Sequence, residues 1–375
     1  MEMIQKCYSL RLEKQRCGII YEKTGRPDMK KREIPKPFRI AFIVFSILVG
    51  LVALLFFGAR LYFRLPVKEF YDASEKEFII PGLPGNYVPQ GFDYVASQNC
   101  FLISGYQSDG QPSRIYIVDR GTGNARYVSL ADDKGEGLGI HAGGMKMHKD
   151  HIYVTGNEDP YLYVFDSNEV LNAADGSTVK MQGVIDTSFG GDFLRTDFIC
   201  ITDDSLITGE FYKDPEYPTP DSHIFTTSDG VTTNALAISF KFSDTEPFGI
   251  KQNPSKAYAL PELIQGMTFH DGKFWLSSSY SVAMSNVRAY DPDSFEKVGK
   301  IKTRKGKNIP VYSVKPGSAV TDLKLPPMSE EILFLDGRLY TMFESATNSH
   351  FFGKLTDGKW CYSTDVGKLS SLQQQ

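Results

Sequence analysis

In a chain that repeats itself, Asp197 and Glu331 lead into first strands of the repeat and Glu210 ends a second strand at the same end. Three carboxylates brought to one opening would make an oxygen-rich cage for a hard cation such as Ca2+, which takes roughly six to eight oxygen ligands. His141 lies in GIHAGG, where the flanking glycines would let a ligand approach closely. An imidazole there could act as a general base. Gln90, Tyr106, Asn157, Tyr212, Gln265, Tyr280 and Glu344 recur at the same kinds of position. Their amides, phenols and carboxylate combine hydrogen-bonding groups with flat apolar faces, as a site for an organic ligand requires. Sharper catalytic motifs are absent: there is no G-x-S-x-G, no H-E-x-x-H, no P-loop and no complete EF-hand loop.

What must position these residues is a repeat of about fifty residues. Five times a short apolar strand is followed by a second that ends on a polar or aromatic residue, and then by a third that often closes on Asp. The first strands read PQGFDYV, AGGMKMH, TDFICIT, QGMTFHD and EEILFLD; the second read FLISGY, HIYVTGN, SLITGE, KFWLSSSY and RLYTMFES. A period built only of strands predicts an all-β fold, a β-propeller. Five blades are counted, at 88–135, 140–190, 195–262, 263–325 and 328–368. Six is the alternative, because the long stretch 302–328 has room for further strands. The strand EFIIP (77–81) is expected to complete another blade and close the ring.

Aligning the chain with itself also predicts one functional face. Residues leading into the first strands (Gln90, His141, Asp197, Gln265, Glu330, Glu331) and residues ending the second (Tyr106, Asn157, Glu210, Ser279, Glu344) emerge at the same end of the channel. Phe211, Tyr212 and Tyr280 adjoin them. Each group also has a scaffold reading: Gln90 and Gln265 could tie down loop backbone, and the acidic residues could simply be solvated. His148 and His270, in MKMHKD and MTFHDG, fall at turns on the opposite face and read as scaffold. Asp119, Asp166 and Asp291 close third strands, where Asp bonds its own turn.

Twenty consecutive uncharged residues, 40–59, precede the repeat. As a helix they span ~30 Å, the thickness of a hydrocarbon core. A cleaved signal peptide would have a shorter apolar stretch, of about 7–15 residues. An uncleaved signal anchor in the lipid bilayer is therefore expected. Residues 1–39 carry eleven Lys or Arg against five acidic residues, whereas the rest of the chain carries thirty against forty. The positive-inside rule then gives a single-pass protein of the cell membrane with its N-terminus cytoplasmic and its propeller outside. The expected divisions are a basic cytoplasmic tail (1–39), the anchor (40–59), a stalk (60–75) and the extracytoplasmic propeller (76–370). Cys7 and Cys17 fall in the tail; Cys100, Cys200 and Cys361 form no disulfide framework, although one bridge stays open. Thirty basic against forty acidic residues after the tail give no support for nucleic-acid binding by an exported domain.

The pairing of PQGFDY with ISGY and of IQGMTF with SSSY, and the strand endings IVD and AYD, resemble a broad group of propellers. That group includes SMP-30/gluconolactonases, strictosidine-synthase-like proteins and YncE-like proteins. The resemblance implies a site at the channel mouth, with a divalent metal held by Glu, Asn and Asp. Asp197, Glu331, Asn157 and Glu210 are the matching residues here. Two functions follow as expectations. One is a membrane-anchored propeller that binds a ligand or partner at the mouth, such as a glycan or cell-envelope polymer. The other is a Ca2+-assisted hydrolase or lactonase with His141 as base. No cofactor is certain from the residues.

Overall fold

The computed structural model describes residues 35–350 and 352–374. Most of the basic tail, including Cys7, Cys17 and the run Lys30-Lys31-Arg32, lies outside the described residues. The chain divides into two units, 1–56 and 57–375. In the first, the apolar stretch is helical, as part of a 29-residue helix Lys36–Arg64. Phe38, Ile40, Phe42, Ile43, Val44 and Phe45 are all exposed, so apolar side chains cover every side of the helix. A helix apolar all round requires an apolar surrounding. It is the one helix among the described residues long and apolar enough to cross a membrane.

The second unit is a β-propeller of five four-stranded blades. Blade I comprises Tyr87–Val95, Cys100–Gln107, Arg114–Asp119 and Ala125–Ala131. Blade II comprises Met145–His148, His151–Thr155, Tyr161–Asp166 and Ser177–Asp186. Blade III is built from Thr196–Ile201, Ser205–Glu210, Ala235–Lys241 and Lys256–Leu260. Blade IV uses Ile264–His270, Lys273–Ser278, Ser285–Tyr290 and Thr321–Leu325. Blade V takes three strands from the end of the chain, Ser329–Leu335, Arg338–Phe343 and Trp360–Thr364. Its fourth is Ser74–Ile79, which pairs antiparallel with Trp360–Thr364. The N-terminal strand thus closes the ring, as the sequence predicts.

Why the strands are apolar almost throughout follows from this arrangement. Each blade is covered on both faces by its neighbours, and alternate side chains enter different cores. Phe101 and Ile103 of blade I meet Tyr340 and Met342 of blade V, while Leu102 between them meets Ile152 and Val154 of blade II. The remaining interfaces pair Leu162 with Leu236, Ile207 with Leu276, and Val287 with Leu339. Five buried clusters therefore fill five gaps, one between each adjacent pair of blades.

The stretch 302–328 holds no sixth blade. It supplies the outer strand of blade IV and the strand Asn308–Ser313, which forms a hairpin with Glu296–Lys302. That hairpin adds to blade III through parallel pairing with Lys256–Leu260. It carries the basic residues Lys297, Lys300, Lys302, Arg304, Lys305 and Lys307 on exposed positions. The segment read as a stalk is folded in part: Leu65–Val67 and the helix Lys68–Ala73 bury Val67, Phe70 and Ala73. Their spacing of three residues makes one apolar helix face, which packs with Phe343, Tyr362 and Leu369.

Scaffold roles expected for the recurrent His and Asp residues match the contacts. His148 stacks on Phe242 at 3.7 Å between ring centres and His270 on Phe334 at 4.0 Å, each ring meeting the following blade. Asp119 accepts from the Thr122 N–H, Asp166 caps a short helix, and Asp291 accepts from the Asp293 N–H. Cys100, Cys200 and Cys361 are buried free thiols.

Candidate functional site at the channel mouth

Four of the five innermost strands break register near their start. The breaks lie between Pro89 and Phe92, Thr196 and Phe198, Ile264 and Gly266, and Ser329 and Ile332. A bulge leaves one residue unpaired and re-aims its side chain. The residues freed here are Gln90, Asp197, Gln265, Glu330 and Glu331. The glycines beside them are required by closeness rather than by turn geometry. A Cβ on Gly91 would lie 2.6 Å from the Met145 N, one on Gly143 2.4 Å from the Asp197 O, and one on Gly266 2.6 Å from the Glu331 Cα. Neighbouring inner strands thus run backbone to backbone around a narrow channel.

Above the bulges lies a cavity of about 620 Å³ to which all five blades contribute. Gln90 and Tyr106 come from blade I, His141 and Asn157 from blade II, Asp197 and Glu210 from blade III, Gln265 and Tyr280 from blade IV, and Glu344 from blade V. Nine of the eleven residues singled out in the sequence line this one space. The other two do not. Tyr212 is half-buried against the core between blades III and IV, whereas its neighbour Phe211 faces the cavity. Glu331 lies deeper, in the channel.

Each carboxylate at the mouth is held by a separate partner. Asp197 accepts from Asn157 Nδ2 at 3.1 Å and faces His141 Nε2 at 3.7 Å. Asn157 reaches it from a left-handed backbone position (φ 73°), which Asn tolerates better than most residues. The His141 ring lies over Tyr106, 5.0 Å between centres. Glu344 accepts from Gln90 Nε2 at 3.1 Å and faces His350 Nε2 at 3.4 Å. Glu210 is bound to His223 Nδ1 at 2.7 Å and to the Leu236 N–H at 2.9 Å. Three of the six histidines therefore sit against carboxylates around one cavity. Burial pushes the Asp197 carboxyl up to about 6, opposed by His141 and assisted by Glu344. Burial also raises Glu210, against the pull of His223, and the contact with Glu344 raises His350.

This arrangement corrects the expected metal cage. Asp197, Glu210 and Glu331 do not converge, since each is already occupied by N–H donors on its own element or a neighbour's. Among the described residues no group of three or more His, Cys, Asp or Glu is placed to hold a metal. Of the residues that the resemblance implied for a divalent metal, Asn157 and Asp197 meet each other, while Glu210 and Glu331 bind other partners.

Glu331 instead closes the channel. Its Oε1 accepts from the Met267 N–H of blade IV at 3.1 Å, and the Ile199 N–H of blade III favours its ionised form. Lys146 of blade II lies 3.8 Å away and donates to the Phe92 carbonyl of blade I at 2.6 Å. Asp93 beside it accepts from the Met147 N–H at 2.7 Å. One buried Lys–Glu pair thereby touches all five blades. Burial raises the Glu331 carboxyl to about 8, with Lys146 opposing.

Other contributors fall outside the repeat and were not found from it. Arg195 and Phe193 come from the connection before blade III, Tyr217 to Pro220 from the insertion in blade III, and His350 from the loop after Glu344. The aromatic side is formed by Phe211, stacked with Tyr280 at 6.4 Å and edge-on to Tyr217 at 5.4 Å. One signal was present in the sequence: Arg195 is two residues before Asp197, and His350 is six after Glu344.

No family model matches the chain, and no curated protein matches it. Solved structures are similar in part. Hsv2 from Kluyveromyces lactis is 11% identical over 69% of this chain, with a TM-score of 0.29, and the match spans only 57% of Hsv2. A Thermus thermophilus protein described as an oxidoreductase (glucose dehydrogenase) is 12% identical over 77% of this chain and 98% of its own, with a TM-score of 0.41. The PQQ-bound aldose sugar dehydrogenase of Streptomyces coelicolor is 13% identical over 72% and 76%, with a TM-score of 0.34. These are likenesses of fold alone; the propeller itself is read from the strand pairing above.

Proposed function

We propose that this is a single-pass membrane protein whose propeller stands outside the membrane and binds a sugar unit of a glycan or cell-envelope polymer at its channel mouth. One observation carries the binding reading: a cavity of about 620 Å³ built from side chains of every blade. Ligand sites typically enclose ~300–1,000 Å³ and set a few polar groups among apolar walls. The amides of Gln90, Asn157 and Gln265 each offer donor and acceptor, as hydroxyl pairs require. Tyr106, Phe211, Tyr217 and Tyr280 offer flat faces for the C–H side of a ring. The apolar helix and the basic excess before it support anchoring and orientation.

The test is thermal unfolding of the full chain in detergent against a panel of mono- and disaccharides. A ligand held at a hundred times its Kd stabilises the native state by ~2.7 kcal/mol. Gln90→Ala and Tyr106→Ala should each remove the shift. A panel that never shifts the wild-type protein would refute the sugar reading. A hydrolytic reading has one support, the placement of His141 against Asp197 in the manner of a base and its orienting carboxylate. It requires turnover of a glycoside or lactone that His141→Ala abolishes.

A further inference from the structure

Glu330 is a carboxyl group near the mouth that the contacts above leave unexplained; Asp192 on the cavity wall accepts from Ser222 Oγ. It sits on the bulge of blade V and is buried, 2% exposed, and its Oε1 has no hydrogen-bond partner among the described residues. Its electrostatic neighbours are Glu344, Asp197 and Glu331, and it acts in turn on Tyr106. Tyr106, Asp197 and Glu344 line the cavity and Glu330 does not, so Glu330 is buried among residues next to the cavity rather than on its wall. An unpartnered buried acceptor beside two more carboxylates is a site short of positive charge. The cations nearby are largely committed: Lys146 to Glu331 and the Phe92 carbonyl, and His223 to Glu210. His141 and His350 stand only at 3.7 and 3.4 Å from their carboxylates, and Arg195 acts on Glu210.

Resting on the reading of this cavity as the ligand site, we propose that its ligand carries a protonated amine, received by Glu344 and Asp197 at the cavity wall with the buried Glu330 carboxyl behind them. A divalent cation is the rival occupant, but the donors do not gather as a metal site. An ammonium group needs only one or two acceptors and gains from aromatic faces. Tyr106 stacks beside His141, and the faces of Phe211 and Tyr280 line the same space. His350 stands against Glu344 at 3.4 Å, in the place where the ligand's amine would go.

The empty site also fixes what happens to the proton. Burial, then the charges of Glu344, Asp197 and Glu331, hold Glu330 well above the ordinary carboxyl range, which favours its protonated form in the empty site. When R–NH3+ enters, Glu330 ionises and its proton leaves to solvent. The ligand arrives and stays protonated, and one proton is released for each ligand bound. Affinity for the ammonium form should therefore rise with pH, by up to tenfold per unit, until Glu330 is already ionised in the ligand-free protein.

Glucosamine, N-acetylglucosamine, glucose and phenethylamine separate the possibilities, with the full chain in detergent and titration calorimetry in two buffers of different ionisation enthalpy. The expected result is binding of glucosamine, with proton release, at least tenfold tighter than N-acetylglucosamine or glucose. Glu330→Gln, which mimics the neutral carboxyl and should fold, should abolish the proton release and weaken glucosamine binding at least tenfold; Glu344→Gln should weaken it likewise. Equal binding of the three sugars, or glucosamine binding unchanged in Glu330→Gln, would overturn the ammonium proposal and leave the sugar reading standing. Binding of phenethylamine without any sugar would support the ammonium and refute the sugar. No binding of any probe at 10 mM, a concentration of roughly the weakest specific affinities, would overturn both.

Discussion

Replacing Lys146 by Met tests whether the channel is closed by one buried ion pair. Met keeps most of the stem volume and removes the charge and the donor. The Phe92 carbonyl then loses the 2.6 Å bond from Lys146 Nζ, and an orphaned buried acceptor costs ~1–3 kcal/mol. Glu331 loses the one cation that opposes its burial. Its carboxyl, near 8 in the wild type, must rise further. For an acid raised in the native state, stability is complete below the unfolded value and is lost as pH rises through the folded one. In the wild type that loss is finished soon above pH 8; in Lys146→Met it continues. The difference between the two proteins should therefore be flat at ~1–3 kcal/mol below pH 8. Above it, the difference should grow by ~1.4 kcal/mol for each pH unit of further shift, toward the ~3–5 kcal/mol typical of a broken buried pair. Urea unfolding of the full chain in detergent at pH 6 and pH 9.5 measures both limbs. Repeating it in a Glu331→Gln background should remove the growth above pH 8 and keep the flat part. A pH-independent difference, or the same growth in the Glu331→Gln background, would refute the pairing.

Four further outcomes are expected. Gly266→Ala should cost ~1–3 kcal/mol by overpacking, since its Cβ would overlap the Glu331 Cα. Gly317→Ala, with open space around it, should stay within ~0.5 kcal/mol; equal effects would remove the argument from strand closeness. His270→Ala and His148→Ala should each cost ~0.5–1.5 kcal/mol in the melt through the lost stack on Phe334 or Phe242. Neither should change ligand affinity, and a change would contradict their place at the far end of the blades. Asp197→Asn should stabilise the ligand-free protein at pH 7.5 but not below pH 4. Burial lifts Asp197 from 3.8 to about 6, so the wild type gives up at most ~3 kcal/mol between those values; a substitution without effect at pH 7.5 would count against that burial. Finally, a membrane-impermeant maleimide should label intact cells poorly and permeabilised cells well, at Cys7 and Cys17, because Cys100, Cys200 and Cys361 are buried. Strong labelling of intact cells at those two residues would reverse the orientation.

The repeat was legible because its cause is local and periodic. Alternating strands such as FLISGY carry Phe101 and Ile103 to one interblade core and Leu102 to the next, so five sequence units necessarily print five similar patterns. The same periodicity placed Gln90, Asp197, Gln265 and Glu344 at one end of the channel, where the cavity lies. It could not separate depth along the channel. Glu330 and Glu331 are neighbours in sequence on one bulge. Yet one stays unpartnered next to the cavity, while the other crosses to Met267 and Lys146. That difference is set by how closely the five inner strands approach, through Gly91, Gly143 and Gly266 meeting the blade beyond. No single blade contains this information. The metal cage failed for the same reason. A self-alignment can say that Asp197 and Glu331 lead into first strands, that Glu210 ends a second strand, and that all three belong to one end of the channel. Which N–H groups reach each of them depends on the neighbouring blade: Asn157 for Asp197, and Met267 for Glu331. Repetition therefore predicts which end of a propeller holds the site, and the contacts between unlike neighbours decide what the site can hold.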